Sequence, residues 1–270
     1  MTESFNERLE RIVTARRSHL CVGLDPILNL PDERRGTGDA DTLKRGLTEM
    51  VIEATCDVAS VFKPNAAFFE TMAEGSSWIP GKIRERDKDI IVLCDAKRGD
   101  IGSTSEAYAE AILTTQGYDA VTVNPLMGHD AVEPFLRLPE RGAFLLCLTS
   151  NPGADDFLVK HDLYLRIAEK AASWNRHGNV GLVVGATRPE QALRVREVAP
   201  DLPLLIPGVG AQGGSIGEII DAIGGRTNPR FVINASRSIM FEKRFGDETQ
   251  SDACKRVATA LRDEINAALR

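Results

Sequence analysis

The chain has 270 residues, 43% of them hydrophobic, enough to bury a large core either as two ordinary domains or as one α/β barrel. A formal net charge of −6 argues against nucleic acid or an anionic membrane as the main partner, because both reward basic surfaces; a small acidic substrate stays open, since a few local cations suffice to hold one. Residues 1–8 are too polar for a signal peptide and no apolar run approaches the length of a membrane span, so a soluble, cytoplasmic protein is expected.

In chain order, Phe5, Leu9, Ile12 and Val13 fall on one face of a helix ending near Arg17, suited to cover the end or side of a barrel. Residues 20–24 form a first strand that stops at Asp25-Pro26. The polar stretch 31–40 reads as a loop, and Leu43, Leu47, Met50, Val51 and Ala54 mark the next helix. Residues 58–62 are expected as a second strand, closed by Lys63-Pro64-Asn65. Two helical segments, 66–74 and 79–86, lead into a third strand at 90–94. After Asp95-Ala96-Lys97-Arg98-Gly99-Asp100, the run Ser103-Thr104-Ser105-Glu106 has the form of a capping box, leaving Asp100 in a short turn, and the helix continues through 107–116.

A fourth strand at 120–124 precedes a helix at 131–136, and a fifth at 144–148 ends in Thr149-Ser150-Asn151-Pro152-Gly153. Helices at 163–174, 190–198 and 216–223 then alternate with strands at 180–184, 204–206 and 231–233. A last amphipathic helix carries Cys254, Val257, Ala260, Leu261 and Ile265. Eight strands alternating with helices over one domain, residues 1–270, point to a (β/α)₈ TIM barrel, with an open doubly wound sheet as the alternative.

The third strand carries the chemistry. It is apolar and reads as buried on both faces, as in parallel sheets, yet it ends in four ionisable groups, Asp95, Lys97, Arg98 and Asp100, within six positions. Strand alternation puts Asp95 and Lys97 on one face and Cys94 and Ala96 on the other. A salt bridge closing a strand end is the plain reading; groups this close perturb one another's pKa, which is the mark of a working site. Asp25, Lys63, Asn124 and Ser150 also end strands, and in a barrel such ends converge on one mouth. Parity agrees: Val61 shares a face with Lys63, and Ile91 and Leu93 share one with Asp95.

Gly208-Val209-Gly210-Ala211-Gln212-Gly213 matches a dinucleotide fingerprint, but it lies late in the chain and no acidic residue closes the following strand. A phosphate held by backbone N–H groups at Gly213-Gly214 fits better, and Arg237 after the last strand is either a surface charge or the other half of that phosphate site. Five scattered cysteines look like reduced core residues, and four dispersed histidines lack the spacing of a dedicated zinc site.

The Asp95–Asp100 stretch, with Lys63 upstream and the glycine loop 208–214 downstream, resembles the orotidine 5′-phosphate decarboxylases over residues 20–240, nearest to their bacterial branch. The resemblance implies loss of CO₂ from orotidine 5′-phosphate to give UMP, without cofactor or metal, in a homodimer whose active sites are shared. It implies a charged tetrad of Lys63, Asp95, Lys97 and Asp100, the last reaching the partner's site together with Thr104. It further implies Asp25 for the ribose, Ser150 for the pyrimidine, and Gln212, Gly213 and Arg237 for the phosphate. Gly102 departs from the pattern, standing where many members carry proline after Asp-Ile. Metal-dependent sugar-phosphate decarboxylases and synthases share Asp-x-Lys-x-x-Asp but carry an acidic ligand where Lys63 stands. A catalytically silent, nucleotide-binding barrel is the reading from a different class.

Overall fold

The structure, a computed structural model, describes residues 3–28, 38–209 and 213–270. Eight strands close into an all-parallel barrel in sequence order: β1 (Leu20–Leu24), β2 (Val61–Pro64), β3 (Ile91–Arg98), β4 (Ala120–Val123), β5 (Gly142–Leu148), β6 (Val180–Val184), β7 (Leu204–Pro207) and β8 (Phe231–Ala235). β1 pairs with β8 through Leu20 and Ile233, which completes the ring and leaves no sheet edge. The longer helices are α1 (Phe5–Arg16), α2 (Gly38–Thr55), α3 (Ile79–Arg86), α4 (Gly102–Ala109), α7 (Leu163–Trp174), α8 (Pro189–Val198) and α11 (Gln250–Ala268). Shorter ones are α5 (His129–Val132), α6 (Ala154–Phe157), α9 (Ile216–Ala222) and α10 (Arg237–Met240). No helix among the described residues is long and apolar enough to cross a membrane.

Strand alternation splits the core in two. Cys21, Val61, Ile91, Leu93, Ala120, Phe144, Val183, Leu205 and Val232 fill the barrel, while Leu20, Val22, Val92, Val121, Leu145 and their like pack under the helices. The interior also takes Phe5, Leu9, Ile12 and Val13 of α1, so the first helix plugs the N-terminal end. Each such side chain, fully buried, contributes about 1.5–3 kcal/mol. Small residues make the room: a Cβ on Gly181 would sit 2.6 Å from the Phe144 ring, and Gly142 faces Phe5 in the same way. Phe5 and Phe144 meet edge to face with centroids 6.0 Å apart. Below the plug, buried Asp119 accepts at Oδ1 from Arg8 (3.0 Å), Arg84 (3.2 Å) and Arg141 (3.0 Å), and at Oδ2 from the Val92 amide (2.9 Å). All five cysteines are buried and free.

Several boundaries differ from expectation. Residues 58–60 are not strand: the amides of Cys56, Val58 and Ala59 finish α2 on Ile52 and Thr55 carbonyls, and Val61 is the first residue in register with Cys21. The strand instead extends through Lys63 and Pro64. The stretch 66–74 is helical only as a 3₁₀ turn at Ala66–Phe68, capped by Asn65. β3 runs four residues past Cys94. Ser103 caps nothing: Ile101 is the N-cap of α4 and makes no side-chain bond, because the helix begins one residue before Ser103, at Gly102, and Glu106 is taken by Arg137 (2.9 Å). The second half of that helix is π-type, Glu110–Thr115.

Candidate active site

Asp95 is the centre of the arrangement at the C-terminal mouth. Its Oδ2 accepts from Lys63 Nζ at 2.9 Å; its Oδ1 accepts from Lys97 Nζ at 2.6 Å and from the Thr122 hydroxyl at 2.9 Å. Lys97 comes from β3 itself, and Lys63 and Thr122 from the neighbouring strands β2 and β4, so the register of the barrel sets the spacing. Lys63 and Asp95 side chains are only 5% and 11% exposed, while Lys97 is 50% exposed and faces the opening. Burial alone favours neutral forms, and here the paired charges win. The Lys63 ammonium is penalised by desolvation, yet the carboxylates of Asp95 and then Asp25 hold its pKa above the ordinary lysine value. Burial pushes Asp95 upward, but Lys63 and Lys97 together hold it well below the usual carboxylate range. The site thus keeps one anion fixed between two cations.

Lys97 has a backbone φ of +48°, a left-handed conformation that costs a non-glycine residue about 1 kcal/mol or more. Its amide donates to Thr122 Oγ1 at 2.9 Å. Opposite, a cavity of about 280 Å³ is walled by Lys63, Asp95, Lys97, Thr122 and Ser150 among others. A second, of about 190 Å³, is walled by Asp25, Asn65, Gly208, Asn234 and Arg237; the two share Lys63, Asp95 and Pro207 and so form one bent cleft. Asp25 is one of its walls, and its buried Oδ1 has no hydrogen-bond partner among the described residues. Arg237, exposed at the start of α10, makes no ion pair with any described carboxylate and overhangs the same cavity. Ser150 lies at the other end, its backbone packed so closely on Gly185 that a Cβ there would come within 2.8 Å of the Ser150 nitrogen.

Of the residues singled out in the sequence, Asp25, Lys63, Asp95, Lys97, Ser150 and Arg237 therefore line one cleft. Asp100 and Thr104 line neither part of it. Asp100 is half-buried, with Oδ1 accepting from the Ile101 amide at 2.8 Å, and Thr104 is exposed on α4. Gln212 lies outside the described residues, as does Gly210. Gly213 is exposed with φ +85°, but the Gly214 amide is spent on the Gly208 carbonyl at 3.2 Å, so the expectation that both glycines offer free N–H groups holds for one at most. Gly102 has φ +53°, which the fixed negative φ of proline cannot reach, so the loop after Asp100 follows a path closed to a proline at that position. Sequence reading missed Thr122, Asn65 and Asn234. Thr122 had a signal: it is the one polar residue in a strand buried throughout, on the same parity as the inward-facing Ala120.

A family model described as Orotidine 5'-phosphate decarboxylase / HUMPS family matches residues 18–248. A curated orotidine 5'-phosphate decarboxylase of Roseiflexus castenholzii is 44% identical over 275 residues, covering 99% of both chains. The solved structure of Leishmania donovani OMP decarboxylase is 38% identical with a TM-score of 0.81, covering 98% of this chain and 99% of that one. Leishmania donovani UMP synthase is 40% identical with a TM-score of 0.83; there the match takes 99% of this chain and 57% of the longer one. With the barrel, the cleft and these likenesses in agreement, the chain belongs to the orotidine 5′-phosphate decarboxylase / HUMPS family, and within it to the orotidine 5′-phosphate decarboxylases.

Proposed function

We propose that the chain converts orotidine 5′-phosphate to UMP and CO₂, the last step of de novo pyrimidine nucleotide synthesis, in the cytoplasm and without cofactor or metal. The observation that carries this reading is the Asp95 carboxylate clamped between the Lys63 and Lys97 ammonium groups beside an open cavity. Loss of CO₂ from C6 of the pyrimidine leaves charge in an orbital that the ring delocalises poorly. A fixed cation is needed beside that carbon, and the same group must deliver a proton to it. Lys97 meets both needs: its ammonium is held 2.6 Å from the Asp95 carboxylate, and its exposure gives it reach. Asp95, held ionised, faces the departing carboxylate, while Lys63 prevents it from being neutralised.

The remainder of the substrate follows the same reading along the cleft. Asp25, with its unpartnered oxygen, takes a ribose hydroxyl; Ser150 reads the pyrimidine; Arg237, with Gln212 and Gly213, takes the phosphate. Binding energy from the phosphate, remote from C6, is available to hold the charges in place. We further propose a homodimer in which Asp100 and Thr104 serve the partner's site. Their absence from the cleft of their own chain supports this, as do Ile101 (59% exposed), Leu126 (61%) and Met127 (56%) on the adjacent loops after β3 and β4, an apolar surface that calls for a cover.

The direct test is UMP and CO₂ release by the purified protein, with and without exhaustive chelation. Both rates are expected to be equal. A loss restored by magnesium would move the chain to the metal-dependent relatives, and no UMP at all would leave a silent binding barrel. For Arg237→Ala we expect KM to rise about 10- to 150-fold, the equivalent of the ~1.5–3 kcal/mol of a charge-assisted hydrogen bond, with kcat less affected. A phosphate-free nucleoside substrate should not notice the change; equal slowing of that substrate would remove Arg237 from the phosphate.

A further inference from the structure

We infer that Thr122 is a positioning residue for Lys97: its hydroxyl holds a bulge in β3 that returns the ammonium to Asp95. The pairing of β3 with β4 shifts between Cys94, which faces Val121, and Arg98, which faces Val123. β3 thus spends four steps where β4 spends two, and the single residue Thr122 stands opposite Asp95, Ala96 and Lys97. Within the bulge Lys97 takes its left-handed φ of +48°, and its amide bonds a side chain of β4. Thr122 Oγ1 accepts it at 2.9 Å and donates its own proton to Asp95 Oδ1, also at 2.9 Å. The ladder then resumes, with the Asn124 amide on the Arg98 carbonyl at 2.7 Å.

Thr122 is 1% exposed, and both the proton and a lone pair of its hydroxyl are committed. One atom therefore fixes the carboxylate and the backbone of the lysine that the carboxylate holds. Without it the part-buried Lys97 amide loses its acceptor, and the lowest route to relief is rotation out of the left-handed region, which swings the long side chain away from Asp95. Thr122 acts through these two residues; the reacting atoms of the substrate are left to them.

The activity arm of the test rests on the decarboxylase reading; the structural arm does not. Thr122→Val keeps the shape and removes the hydroxyl, and Thr122→Ser keeps the hydroxyl. We expect kcat of Thr122→Val to fall about 100-fold, the scale of an ångström-sized misplacement, with KM and the Kd of UMP within about threefold of wild type. Thr122→Ser should stay within about fivefold in kcat. Should the valine variant not fold, Thr122→Ala against Thr122→Ser is read by the same criterion. The inference is overturned if the hydroxyl-free variant keeps kcat within about threefold of wild type, or if serine is impaired as much as valine or alanine. Crystal structures of the variants decide independently of turnover: Lys97 should leave its positive φ and its contact with Asp95 when the hydroxyl is gone, and retention of both sinks the idea. A wild-type protein that makes no UMP overturns the functional reading alone, since the structural comparison still stands or falls on its own.

Discussion

Lys97→Ala is expected to lower kcat by about 10⁴-fold or more, the combined scale of a lost general acid and a lost electrostatic partner for the developing carbanion. UMP should still bind within about tenfold of wild type, because the contacts proposed for phosphate, ribose and ring lie on other residues of the cleft. The split follows from the geometry. Lys97 is the half-exposed member of the trio, whereas Lys63 is buried and keeps its own 2.9 Å contact with Asp95 when Lys97 is gone. The anion is then still paired, so the fold and the binding surface have little reason to change. Single-turnover measurements with saturating substrate, together with UMP titration, read the two effects separately. Turnover within about tenfold of wild type would remove Lys97 as the proton donor.

Mixing two inactive variants is expected to restore roughly a quarter of wild-type activity. One variant carries Lys97→Ala, the other Asp100→Ala, and the two are unfolded together in equal amounts and refolded. In a two-fold dimer with shared sites, a mixed pair gathers both lesions into one site and leaves the other intact; random pairing makes half of the dimers mixed. Asp100 lies on the loop between β3 and α4, half-buried, its side chain accepting from the next amide, and outside both parts of its own chain's cleft. If Asp100 served its own chain, every site would keep one lesion and nothing would be recovered. No recovery with heterodimers confirmed by native mass spectrometry would leave Asp100 a turn residue.

The barrel was legible because its strands are buried on both faces and bounded by polar residues, a pattern with few other solutions. The trio of charges was legible for a related reason: Val61 with Lys63, and Leu93 with Asp95, follow simple alternation, and the interior cluster contains both apolar partners. What alternation cannot see is a bulge. Lys97 was assigned to the face of Asp95 by counting residues, and it does meet Asp95, but through a left-handed turn and a shifted register that the count does not contain. Local signals also lost to tertiary ones. Val58 and Ala59 have strand-like side chains, yet their amides complete the last turn of α2, and Ser103-x-x-Glu106 has the letters of a cap inside a helix that had already begun. The substrate-phosphate end was read from Gly213 and Arg237, of which only Arg237 lines the described cleft.

The plug at the lower end of the barrel has a consequence for how the chain must assemble. Phe5 and Asn6 donate their amides to the carbonyls of Pro139 and Gly178, and the Asn6 side chain reaches the Val180 carbonyl, 174 positions along the chain. α1 is thus held by residues synthesised much later than itself, and β1 likewise waits for β8. Until β5 and β6 have formed, Phe5, Leu9, Ile12 and Val13 have nowhere to be buried and offer an adhesive stripe to any neighbouring nascent chain. High contact order of this kind slows folding and lengthens the time at risk of aggregation, so the residue pairs that make the finished barrel tight also delay the burial of α1.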